Sequence, residues 1–280
     1  MITNFIPEIW SAQLLKSFVA ATKFASPLVC NRDYEGDIRN SGDTVHITSI
    51  GMPTITAYVK GVTTLAFEQL TDASRALVAD QCDSFAFEVD DIDKRQSANG
   101  GALMSEAASL AGQHLAQHAD AYVRGLMGTD TDAGHIVGHT AVTTSALAWA
   151  RLVAHREFLD GNDVPIEGRY TIVPGWFHSL LALDAGFLAY DALSGGQMLR
   201  NGIVGRALGF EIIQANYPEI AAGDTRVFSG HPSAVTFADQ INEVEALRPQ
   251  TSFGDALKGL HVYGAKVTRP SALCYTLCST

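Results

Sequence analysis

Positive charge is scarce in this chain. Of 280 residues, 19 are Lys or Arg and 30 are Asp or Glu, a formal net charge of -11. A protein that grips phosphates needs clustered cations. Here the basic residues are scattered, which argues against tight nucleic-acid binding and for a soluble surface. Long apolar runs are also missing. No window approaches ~18 uninterrupted apolar residues, so no transmembrane helix is expected. The opening "MITNFIPEIW" has no basic stretch followed by an apolar one, so no secretory leader is expected. Cysteine is sparse, at Cys30, Cys82, Cys274 and Cys278. Four such spacings make no dense disulfide framework, and a reducing compartment is expected. Cys274 and Cys278 sit in an apolar, strand-like run and are expected to be buried free thiols.

Catalytic signatures are absent as well. The pentapeptide Leu193-Ser194-Gly195-Gly196-Gln197 looks like the signature of ABC-type ATPases. That segment acts only with a G-x-x-x-x-G-K-[ST] loop, whose N–H groups and Lys hold the phosphates. The dipeptide Gly-Lys occurs nowhere in the chain, so the match is accidental. Gly202, Gly205 and Gly209 miss the dinucleotide spacing G-x-G-x-x-G and precede a β-type run, Phe210 to Ile213. They read as a turn feeding a strand. His114 and His118 share a helical face, but the base of an H-E-x-x-H site and a third ligand are missing. They read as polar residues at a helix–helix contact. His135 and His139 read as loop residues. Asp90 and Asp91 precede a long helical pattern and read as caps rather than an acid–base pair. No G-x-S-x-G elbow exists.

What remains is a globular composition, 47% hydrophobic and 18% charged, with 9 Pro, 25 Gly and no low-complexity tract. A core is affordable, and disorder is not the default. Residues 8 to 24 predict a helix with Pro7 near its first turn. Leu14, Leu15, Phe18 and Val19 form its apolar stripe, and a polar stretch follows, so it reads as an arm that packs on something else. Val45 and Ile47 alternate with polar neighbours, and so do Phe85, Phe87 and Val89. The excursion between these strands, 52 to 80, has little apolar periodicity. A protruding hairpin is predicted, too long to lie on its own domain. Residues 91 to 127 predict the longest helix, roughly 50 Å at 1.5 Å per residue. A second helix is predicted over 145 to 160, a buried strand at "GRYTIVP", another helix at "GWFHSLLALDAGFL", and strands around the Gly-His-Pro turn and on to the end. The class is α+β.

In this order, the pieces resemble a tailed-bacteriophage major capsid protein of the Hong Kong 97-like family. The resemblance rests on "GDTVHITSIGMPTITAY", "FAFEVDDID", "GRALGFEIIQANYPE" and "HPSAVTFADQINEVEALRPQTSFGDALKGLHVYGAKVTRP". It covers nearly the whole chain. It implies an N-arm over 1 to 43 and an extended hairpin, the E-loop, over 44 to 89. It implies a P-domain over 90 to 174 with the spine helix at about 91 to 127, an A-domain over 175 to 230, and P-domain return strands over 231 to 280. It implies a subunit that self-assembles as hexamers and pentamers into an icosahedral head around double-stranded DNA. Such a head is part of the virion and is assembled in the host bacterial cytoplasm. The implied partners are other copies of the chain, a separate scaffolding protein, a portal and a decoration protein. DNA would be enclosed without sequence-specific binding.

No catalytic residue, cofactor or metal is implied. The candidate inter-subunit contacts are Trp10, Leu14, Phe18, Tyr58, Lys60, Glu68 and Arg75. Lys60 is the one Lys of the hairpin, without a matched Asn and Glu for an isopeptide cross-link. Two other readings compete. One is an encapsulin-like compartment of the same fold, enclosing protein cargo. The other is a hydrolase using His178 and Asp184 of "VPGWFHSLLALD", which would need a nucleophile and an oriented base.

Overall fold

The computed structural model describes residues 5–34, 44–50, 55, 57, 60, 72–96, 102–131, 136–184, 205–218, 220, 223–249 and 253–279. Helix α1 spans Phe5–Ala21. Strands β1 (Thr44–Ile50) and β2 (Asp72–Val78) pair antiparallel, with Thr44 opposite Val78 and Ile50 opposite Asp72. Strand β3 (Gln81–Asp90) runs into α2 (Asp91–Gln96), and α3 spans Ala102–Thr129. Next come β4 (Ile136–Ala141), α4 (Ser145–Gly161), β5 (Tyr170–Val173) and α5 (Gly175–Ala182). The rest is strand: β6 (Arg206–Ala207), β7 (Phe210–Gln214), β8 (Asp224–Gly230), β9 (Val235–Leu247), β10 (Gly254–Val267) and β11 (Leu273–Ser279).

Two larger sheets result, one of three strands in the order β3-β10-β9 and one of six in the order β4-β11-β8-β5-β7-β6. In the six-stranded sheet the long-range partners are parallel for β5 with β7 and for β11 with β4. The spine helix α3 crosses both sheets. Its first half packs Met104 and Ala108 on Val89 and Leu257 of the three-stranded sheet. Its second half sends Ala119, Val123 and Met127 into the main core with Phe228, Phe237 and Tyr275. On the opposite face of the six-stranded sheet, α4 and α5 bury Leu152, Phe177 and Leu181 against Val173 and Val227.

Local sequence explains several element ends. Asp90 accepts a 2.7 Å bond from the Ile92 N–H, the capping role expected of it. Thr144 accepts from the Leu147 N–H at the start of α4. The β6–β7 turn puts both Leu208 (φ 53) and Gly209 (φ 86) in the left-handed region, the geometry of a tight two-residue hairpin. Here the glycine spacing serves backbone shape, as expected. Cys30, Cys274 and Cys278 are buried and free. Among the described residues, no helix is long and apolar enough to cross a membrane.

The structure corrects four expectations. The hairpin's returning strand is β2, which ends at Val78. Phe85, Phe87 and Val89 lie in β3, which pairs with β10 instead. β10 outcompetes the hairpin because its Leu257 and the α3 residues bury Val89 on one continuous face. His139 lies in β4 rather than a loop, 2.8 Å from Asp224. His114 and His118 are not buried at a helix–helix contact among the described residues. Both are exposed on α3, with His118 3.7 Å from Asp83 of β3. The arm's stripe also divides, as described below. Residues 193–197 and His135 lie outside the described residues.

Candidate assembly surfaces

The arm is fastened to its own chain at three levels. Leu14 and Phe18 of α1 are buried with Leu115 and Ala116 of α3. Phe18 also meets the His261 ring edge-on, at 5.1 Å between centroids. Just past α1, the Asp120 carboxylate accepts from the Lys23 and Ala25 N–H groups at 2.8 and 2.9 Å. Burial raises the Asp120 pKa, and those backbone bonds oppose the rise. Further on, Arg32 donates to the Ala25 carbonyl at 2.8 Å, lies over the Phe237 ring at 5.1 Å and stands 3.7 Å from Asp239. Leu14 and Phe18, expected as inter-subunit contacts, therefore fill a core within their own chain. A stripe wide enough for two surfaces gives one to α3 and leaves the other open. Leu15 is 46% and Val19 64% exposed.

The remaining predicted contacts scatter. Trp10 lies on α1, but its side chain is outside the described residues, as are Tyr58 and Glu68. Lys60 is exposed. Arg75 is exposed yet bonded within its own chain. It donates a 2.7 Å bond to the Val267 carbonyl of its own chain, because β2 lies against β10. The base of the hairpin is anchored by Leu77 and Ala79 on Ala238 and Val262.

At the far tip, the Asp91 N–H donates to the Phe253 carbonyl, and Asp91 pairs with Arg248. The side chains there stay open: Ile92 is 62% and Phe253 81% exposed. Single exposed apolar residues are ordinary on a folded chain, and here two lie at one tip.

The interior holds one arrangement with catalytic-looking distances. His155 Nδ1 lies 2.7 Å from Ser229 Oγ, and its Nε2 meets the Thr276 hydroxyl. Ser229 is also 2.9 Å from Thr171 Oγ1. A nucleophile–base pair needs this spacing, yet all four side chains are fully buried. The second imidazole nitrogen meets a hydroxyl, not an orienting carboxylate. Burial, with the nearby Arg151 charge, lowers the His155 pKa to about 3, so the ring is neutral. The network ties α4 to three strands of the sheet. His178, in the rival hydrolase reading, is buried on α5 with its pKa lowered by burial. Among the described residues no group of three or more His, Cys, Asp or Glu could hold a metal.

Sequence reasoning missed Asp120, Arg32, Arg169 and His155. Arg169 is 2% exposed, 2.7 Å from Asp160, and donates to the Val164 and Pro165 carbonyls. The one available signal was a lone charged or polar residue within an otherwise apolar segment.

A spine helix across two sheets, a fastened arm and a paired hairpin form the geometry against which relatives can be compared. A family model described as phage capsid protein matches residues 81–276. The chain belongs to the phage capsid protein family. A solved chain of Mycobacterium phage Che8 is 30% identical, with a TM-score of 0.72, covering 91% of this chain and 90% of that one. The capsid of cyanophage P-SCSP1u shares the fold at 18% identity, with a TM-score of 0.67, covering 86% and 84%. A virus-like particle from Pyrococcus furiosus shares the fold at 13% identity, with a TM-score of 0.56, covering 95% and 96%. No curated protein matches. The phage capsid subunit thus has the Hong Kong 97-like α+β fold and is a major capsid protein, a structural component of the virion.

Proposed function

We propose that this subunit assembles as hexamers and pentamers into a closed icosahedral head around phage double-stranded DNA, and that it performs no catalysis. The 30% identity to the Che8 chain over 91% of this one carries the reading. The exposed Leu15, Val19, Ile92 and Phe253 support it, since a shell gives such side chains cover. Trp10, Tyr58, Lys60 and Glu68 are proposed as further inter-subunit contacts. One chain closes a shell by adopting slightly different hinge settings in the arm and hairpin at different positions. A scaffolding protein, a portal and a decoration protein are its proposed partners, and assembly takes place in the host cytoplasm. DNA is enclosed through volume and net charge, without base recognition. Electron microscopy after size exclusion is expected to show closed shells. A strictly monomeric species at high concentration with scaffold present overturns the reading.

The likeness to the Pyrococcus furiosus particle keeps one rival in play, a compartment for protein cargo. Particles purified from infected cells are expected to contain DNA. Particles holding one foreign protein and no DNA favour the rival.

A further inference from the structure

Two arginines meet at one cavity, and among the described residues no acid pairs with them. Arg124 comes from α3 and Arg226 from β8, and both line a space of about 220 Å³ with Gly125, Tyr217, Pro218 and Ile220. Glycine clears the helix face for this approach. A Cβ on Gly128 would stand 2.7 Å from the Arg226 guanidinium carbon. Above Gly125 nothing lies within 4 Å of such a Cβ, so the space there is open. Each guanidinium rests on a ring: Arg124 over Tyr217 at 5.7 Å and Arg226 over Tyr275 at 5.1 Å.

Among the described residues neither guanidinium makes an ion pair or a hydrogen bond, and Arg226 Nε is buried without a partner. The nearest acid on α3, Asp120, already accepts from the Lys23 and Ala25 N–H groups. Burial and the neighbouring Arg226 charge lower the Arg124 pKa, while Tyr217 and Asp120 oppose them. Next to this cavity a second depression of about 430 Å³ continues past Arg124 to Asp120 and Lys23. A chain of net charge -11 therefore gathers three cations along adjoining depressions, two of them without an acidic partner among the described residues.

We propose that the Arg124–Arg226 cavity receives a carboxylate side chain from a second copy of this chain when subunits assemble. Charge complementarity selects that occupant. With 30 acidic residues against 19 basic ones, a neighbouring copy offers more carboxylates than cations. Paired guanidiniums bind a carboxylate through parallel charge-assisted hydrogen bonds. The cavity holds one side chain, and Tyr217, Pro218 and Ile220 give apolar walls for the methylenes of a Glu. The inference rests on the shell-forming reading, and its test separates the two.

The test compares wild type with Arg124→Gln, Arg226→Gln and Gly125→Leu. Gly125→Leu fills the open space while keeping both charges, and it replaces a poor helix former with a good one. It thus stays informative if an arginine variant fails to fold. Each unassembled subunit is melted, and each assembly reaction is followed by sedimentation across ionic strength. The expected result is a Gly125→Leu subunit that melts like wild type and assembles about tenfold more weakly, the size of one lost charge-assisted contact. The foldable arginine variants are expected to lose the salt dependence of assembly. Wild-type shells with equally stable Gly125→Leu shells overturn this inference alone, whereas no wild-type shells overturn the functional reading. Two other outcomes also overturn it. Glu219, between the lining residues Pro218 and Ile220 in sequence, lies outside the described residues, and one such outcome is a Glu219→Gln subunit that melts as low as the arginine variants, which assigns the cavity to the chain's own acid. The other is variants that form normal empty shells and lose only packaged DNA, which assigns it to phosphate.

Discussion

Gly112 of α3 and Leu14 of α1 approach so closely that a Cβ on Gly112 would stand 2.6 Å from the Leu14 carbonyl oxygen. No side chain fits between these helices. The contact brings Leu14 and Phe18 down onto Leu115 and Ala116. Gly112→Val is expected to push α1 off the spine and to cost about 1–3 kcal/mol, as overpacking does. Amide exchange over 5–21 should become faster while the sheets stay protected. An α1 as protected as in wild type would refute the close crossing. Deleting 1–24 is expected to destabilise the subunit itself, because Phe24 belongs to the main core.

The outer side of α1 should behave in the opposite way. Leu15→Ser with Val19→Ser leaves the internal cluster intact. The isolated subunit should melt within about 0.5 kcal/mol of wild type per site, as surface changes do. Assembly, followed by sedimentation, should weaken. Unchanged assembly would show that this face stays in solvent within the shell.

Lys60 and Arg75 should also separate. Arg75→Ala removes a bond to the Val267 carbonyl and is expected to lower the stability of the free subunit by about 1–2 kcal/mol. Lys60→Ala should leave the free subunit unchanged and lower only the melting of particles, by the 0–1 kcal/mol of an exposed pair. The small loss repeats over every subunit and should shrink at high salt, which screens the wild-type pair as well. A covalent ladder on a denaturing gel that disappears in Lys60→Ala would show cross-linking chemistry at this residue.

Acid should weaken the subunit through His155. Its folded pKa is depressed to about 3, from 6.5. Below pH 6.5 the unfolded chain takes up a proton that the folded chain refuses until near pH 3. The stabilisation is thus complete above 6.5 and is lost progressively as pH falls toward 3, on the order of 5 kcal/mol in all. Urea midpoints of the unassembled subunit should fall between neutral pH and about pH 4.5. His155→Gln should start less stable and show a shallower fall. Parallel slopes for the two proteins would remove His155 as the cause.

Most of the order of elements was legible from residues alone, β2 and β4 excepted. Alternation marked β1 and β3, three- and four-residue spacing marked α3 and α4, and Asp90 and Gly209 marked ends and turns. These are local properties, decided by neighbours within a few positions. Tertiary structure decided the pairings. Phe85 and Phe87 alternate as well for one partner strand as for another, and only the shared surface with α3 and β10 assigned them away from the hairpin. Leu14, Leu15, Phe18 and Val19 form one stripe in sequence, yet the close crossing at Gly112 buries two and leaves two for a neighbour. The Arg124–Arg226 cavity and the His155 network join residues about a hundred positions apart. No spacing rule reaches that far, because such contacts depend on where whole elements stop and cross.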